Sequence, residues 1–137
     1  TDKEEIYKNA DVISLHLPLT KHTKNMIRAE HIALMKPDAI LINTARGGII
    51  NELDLANALN AGHLHGAAID VFESEPYTGP LADIERCILT SHMGSMTVDC
   101  RTRMEIEATE EAVRFLRGLP LEREVPEEEY AVQKAGL

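Results

Sequence analysis

Four short apolar runs, each leading into polar residues able to carry chemistry, constrain this chain more than any other feature. They are Val12 to Leu17, Ala39 to Ile42, Gly66 to Val71 and Ile88 to Thr90. Near-continuous apolar runs of this length mark strands covered on both faces. The segments between them carry helix signals. Residues 2 to 9 read as the polar end of a helix, and Ala29 to Met35 as a short one closed by Lys36-Pro37. Asn51 can cap a helix through about Asn60, with Gly62 in the C′ position. Thr97 caps the longest helix, which runs to about Arg117 and is stopped by Gly118 and Pro120. Its residues Val98, Met104, Ala108 and Ala112 share one side and are expected to pack on the sheet or on their own domain. Strands alternating with helices at this spacing predict βαβ units, hence an α/β fold with a parallel sheet and flanking helices. At 137 residues and 44% hydrophobic, the chain has the size and apolar content of one cored domain.

Composition narrows the partners. Fourteen Lys and Arg against 23 Asp and Glu give a net charge of −9, with no basic stripe, so no nucleic-acid partner is expected. No apolar run approaches the length of a membrane span, and none is expected to cross one. No signal peptide is visible, although the chain begins at Thr1 without a Met. Cys87 and Cys100 have no ligand-like spacing. Cys87 reads as a small buried residue, and the default setting is reduced and cytoplasmic. His63 and His65, just after Gly62, read as solvated loop residues, so no metal site is expected. The charge distribution says more than the sum. From Pro37 through Glu85, Arg46 is the only Lys or Arg, set against eight acids.

In open α/β sheets, ligands bind beyond the carboxyl ends of the strands. The four runs lead into His16-Leu17-Pro18, Asn43-Thr44-Ala45-Arg46-Gly47-Gly48, Asp70-Val71-Phe72-Glu73-Ser74-Glu75-Pro76 and Thr90-Ser91-His92-Met93-Gly94. His92 can exchange a proton near neutral pH, and Gly94 lets backbone approach a ligand. A lone His at a strand end is more often simply bonded to backbone. Glu75, held by Pro76, can orient an imidazole, with Glu73 as its competitor; taken alone it reads as a loop acid. Arg46 presents a fork suited to a carboxylate, and the two glycines let the chain turn beneath it. An internal salt bridge to Asp70 or Glu75 is as good a reading of that Arg. Asp70 can accept from a ligand amide or cap the next turn. Together, an Arg, an acid and a His at strand ends of one small domain point to catalysis.

These same segments, with Ser14-Leu15-His16-Leu17-Pro18-Leu19-Thr20 and Gly66-Ala67-Ala68-Ile69-Asp70-Val71-Phe72, resemble the D-isomer-specific 2-hydroxyacid dehydrogenases. The resemblance runs in order from about Ala10 to Gly118. It implies a Rossmann-type parallel sheet, NAD or NADP as cofactor, and a small 2-hydroxy or 2-keto acid as substrate. It implies catalytic roles for Arg46 as carboxylate clamp, His92 as acid/base and Glu75 as its orienting partner. For the cofactor it implies Asp70 at the nicotinamide carboxamide with backbone of Thr44 and Ala45, and Leu17 and Pro18 along the adenosine side, with His92 and Gly94 at the same site. Ser91 departs from the Pro that often precedes the family's His. The family's phosphate loop, G-x-G-x-x-G, is not among these 137 residues. The chain therefore reads as a partial domain: residues 1–118 as the C-terminal part of an NAD(P)-binding domain, and 119–137 leading back toward a substrate domain. The full-length protein is expected to be a homodimer, and the isolated chain to bind NAD weakly and be inactive. A non-enzymatic, corepressor-like NAD sensor on the same fold is the alternative.

Overall fold

The computed structural model of the chain describes residues 2–127. These fall into two compact units divided between His92 and Met93.

The first unit holds the sheet. Helix α1 (Lys3–Asn9), capped by the Asp2 side chain, precedes strand β1 (Val12–Leu15). There follow α2 (Ala29–Ile32), β2 (Ile40–Asn43), α3 (Glu52–Asn60), β3 (Gly66–Ile69), a 3-10 turn at Pro80–Asp83 and β4 (Cys87–Leu89). The strands lie in the order β1-β2-β3-β4 and every pair is parallel, with Val12 opposite Ile40, Ile40 opposite Gly66 and Ala67 opposite Cys87. Parallel neighbours need a crossover, so all four carboxyl ends meet one rim. That rim positions the site.

The core gathers alternate residues of each strand, among them Ile13, Leu15, Leu41 and Ile69, with Leu55 and Leu59 of α3. The apolar runs predict cover on both faces, yet the intervening positions stay exposed or half-buried, Val12 at 54% and Ile88 at 67%. Among the described residues, one face of the sheet is fully packed. Three of the strands also stop earlier than their apolar runs, while β2 extends one residue past its own, to Asn43. β1 ends before His16, and β3 ends before Asp70, which leaves these polar residues on the rim. Helix α2 is one turn rather than seven residues, because Leu34 and Met35 bond three residues back, in 3-10 fashion. Helix α3 obeys its sequence signals closely. Asn51 Oδ1 accepts the Asp54 N–H at 3.0 Å, and Gly62 succeeds the helix with φ +78°.

The second unit holds α4 (Val98–Leu116). Thr97 Oγ1 accepts the Cys100 N–H at 3.3 Å, as its capping role predicts. Within this unit Val98, Met104, Ala108 and Ala112 are exposed, and α4 contributes no buried residue. Ion pairs tie the unit together instead. Arg101 meets Glu105 at 3.0 Å, Arg103 meets Glu107 at 3.2 Å, and Arg123 reaches back to Glu107 at 3.6 Å. The second unit begins at Met93 and takes in α4. Much of the 119–137 tail lies outside the described residues.

Candidate active site

The loop after β2 is folded by a buried side chain. Asn43 Oδ1 accepts the Ala45 N–H at 3.1 Å, while its amide donates to the Arg46 carbonyl at 2.9 Å. Both partners are local, so the bonds fix the turn itself. Arg46 then projects from an ordered backbone. Its Nη1 donates to the Ala45 carbonyl at 2.7 Å, and among the described residues it makes no ion pair. The internal salt bridge to Asp70 or Glu75 is therefore not formed. Gly47 lies against the next loop: a Cβ built there would stand 1.9 Å from the Phe72 carbonyl oxygen, so only glycine fits.

The loop after β3 presents two acids in different states. Asp70 is buried. Its N–H donates to the Asn43 carbonyl at 3.0 Å, its carboxylate accepts the Thr90 hydroxyl, and its own carbonyl accepts the His92 N–H at 2.8 Å. Glu75 accepts the Phe72 N–H through Oε1 at 3.0 Å and faces His92 Nδ1 through Oε2 at 3.2 Å. These bonds hold its carboxyl below the ordinary value, the Phe72 amide contributing most and His92 next, against burial and the Asp70 charge. Glu75 is therefore a carboxylate at neutral pH with no proton to donate, and the imidazole proton must sit on Nδ1. The Glu75–Pro76 peptide bond is cis.

Glu73, the competitor for that role, is used elsewhere. Its carboxylate pairs with Lys24 at 3.7 Å, and its N–H donates to Glu52 at 2.8 Å. Arg46, Glu75 and His92 share an open groove of about 620 Å³ with Lys24, Gly47 and Glu73. The three residues expected to work together thus line one cavity.

The expected cofactor residues sit nearby on the rim or beyond it. Leu17 and Pro18 are exposed just past β1, Thr44 is exposed and Ala45 half-buried just past β2, and Asp70 is buried just past β3. Gly94 belongs to the second unit, and a Cβ built on it meets no atom within 4 Å. Three contributors carried no signal in the sequence: the Phe72 amide, Thr90 as donor to Asp70, and Glu52 beneath Glu73. Glu52 read only as a first-turn acid of α3. The expectation for His63 is corrected: it is not a solvated loop residue but half-buried, with Nε2 2.9 Å from the Ile32 carbonyl. Cys87 is half-buried, and burial pushes its thiol up to about 11.

The sequence profile of the D-isomer-specific 2-hydroxyacid dehydrogenase NAD-binding domain matches residues 1–94. The chain belongs to that family. D-3-phosphoglycerate dehydrogenase of Bacillus subtilis (strain 168) is 44% identical over 119 residues, covering 86% of this chain and 23% of that protein. Glyoxylate reductase of Thermococcus litoralis is 42% identical over 118 residues, covering 85% of this chain and 36% of the relative. The chain thus spans well under half the length of these curated relatives. The crystal structure of D-lactate dehydrogenase with NAD+ from Lactobacillus jensenii superposes at a TM-score of 0.83 and 30% identity, covering 92% of this chain and 42% of that one. The parallel α/β sheet is accordingly the Rossmann-type sheet of a dehydrogenase NAD-binding domain, and NAD is the cofactor of that domain.

Proposed function

We propose that the protein carrying this chain is an NAD(P)-dependent dehydrogenase interconverting small D-2-hydroxy acids and 2-keto acids, with Arg46, His92 and Glu75 as its working residues. We also propose that it acts in the cytoplasm as a homodimer. The observation that carries the reading is the His92–Glu75 contact of 3.2 Å, in one groove with an Arg46 that has no internal carboxylate partner among the described residues. No helix among those residues is long and apolar enough to cross a membrane.

In this reading the rim supplies the groups that would hold a nicotinamide cofactor. The buried Asp70 carboxylate supplies an acceptor for the carboxamide, with backbone at Thr44 and Ala45 beside it. Leu17 and Pro18 give an exposed apolar edge for the adenosine side. When bound, the nicotinamide supplies the hydride to the keto carbon and takes one back in the reverse direction. The rest falls to this chain. Arg46 clamps the substrate carboxylate with its planar fork and draws charge from the carbonyl oxygen. His92 donates the proton on Nε2 to that oxygen as it becomes an alkoxide. Glu75 keeps the other ring proton on Nδ1 and stabilises the imidazolium before transfer. In the oxidative direction, Nε2 accepts the hydroxyl proton.

Arg46→Ala in the complete protein tests the clamp. With NADH or NADPH and a panel of 2-keto acids, kcat/KM for reduction falls by on the order of 10² to 10³. Unchanged turnover overturns the assignment. A wild-type protein that turns over none of the panel yet binds cofactor favours the sensor reading instead.

A further inference from the structure

The Arg46 loop and the Glu75 loop meet through a single peptide unit. The Phe72 carbonyl lies against Gly47, closely enough that a Cβ there would stand 1.9 Å away. The same peptide plane carries the Glu73 N–H, which donates to Glu52 Oε1 at 2.8 Å. A peptide is planar, so fixing its N–H fixes its carbonyl as well. One residue back, the Phe72 N–H donates to Glu75 Oε1 at 3.0 Å. The Phe72 and Tyr77 rings stack 4.1 Å apart and close the loop around Glu75. A continuous path therefore runs from the first turn of α3, through the Phe72–Glu73 backbone, to Glu75 and then to His92.

We infer that Glu52 is a positioning residue, whose carboxylate holds the Phe72–Glu73 peptide so that the Phe72 amide orients Glu75 against His92. The inference rests on the reading that His92 and Glu75 act as a pair in proton transfer. Two further observations favour it. Glu52 is half-buried, and burial above all pushes its carboxyl upward, opposed by the Glu73 N–H bond, with the Glu73 charge adding a smaller rise. A first-turn acid that served only the helix dipole would do so equally well in solvent, without that cost. In addition, the Phe72 amide that this path sets is the largest influence holding the Glu75 carboxyl down. The charged groups around Glu75 are His92 after β4 and Asp70 after β3, with Arg46, Lys24 and Glu73 along the same groove.

The test separates acceptor from charge. Glu52→Gln keeps an oxygen for the Glu73 N–H and removes the charge; Glu52→Ala removes both. The Glu75 carboxyl is tracked by carbon NMR titration in this chain, and kcat against pH in the complete protein. Glu52→Ala raises the Glu75 midpoint, moves the acid limb of the rate profile to higher pH and lowers kcat about tenfold. Glu52→Gln stays within about twofold of wild type in kcat, because the hydrogen bond is kept. If Glu52→Ala does not fold, Glu52→Asp, with its carboxylate drawn back by one methylene, moves the midpoint in the same direction. A Glu75 midpoint unmoved by the Ala or Asp change, or a Gln variant as impaired as the Ala one, overturns the inference. A wild-type protein inactive on every 2-keto acid removes the dehydrogenase reading, while the titration still decides the positioning.

Discussion

His92 adopts φ +53°, the left-handed region that non-glycine residues seldom enter. Its N–H is held by the Asp70 carbonyl at 2.8 Å, so the residue just past β3 also fixes the turn after β4. Such a conformation persists only where its surroundings over-determine it. It brings the ring to Glu75. The same economy of space governs Gly47, where the Phe72 carbonyl leaves no room for a methyl group. Gly47→Ala must push the two loops apart. It is expected to cost at least about 1–3 kcal/mol in a denaturant titration and to lower turnover as well. Stability unchanged by this substitution would mean that the loops yield freely. At this scale the sequence was partly legible. Arg46 and His92 stand out as residue types at strand ends. The choice between Glu73 and Glu75 does not, because both lie in one loop and a backbone amide, Phe72, decides it. Glu52 and Lys24 were silent for a related reason: their roles depend on contacts across 21 and 49 residues of chain.

Among elements, the capping signals held most closely. Asn51 and Thr97 cap their helices, and Gly62 and Gly118 succeed them with positive φ, as side-chain chemistry alone predicts. Strands β1, β3 and β4 end earlier than their apolar runs and β2 one residue later, since hydropathy marks what can be buried and not where pairing stops. Helix α4 departs furthest. Its residues Val98, Met104, Ala108 and Ala112 promised a packed side, yet Val98 is 81% exposed and Met104 55%. Periodicity registers that a face is apolar without saying what meets it. The proposed homodimer gives that face a partner. In sedimentation, the complete protein is expected to run as a dimer, and the double change Met104→Glu with Ala108→Glu to shift it toward monomer. A monomeric wild type, or a double variant that remains fully dimeric, contradicts the use of α4 for this purpose.

For the whole molecule, the parallel order β1-β2-β3-β4 is what turns scattered residues into a site. Successive crossovers carry Arg46, Glu75 and His92 to one rim, although 46 residues separate the first from the last. That juxtaposition could be read in advance, because parallel strands place every carboxyl end together. The central claim is that His92, oriented by Glu75, supplies the proton for hydride transfer at this rim. Steady-state reduction of a 2-keto acid by the complete protein carrying His92→Gln tests it most directly, with the Kd for NADH measured alongside. The account predicts that kcat/KM falls by about 10² to 10⁴ while the Kd for NADH stays within about twofold. A His92→Gln protein that reduces the same substrate at the wild-type rate contradicts it.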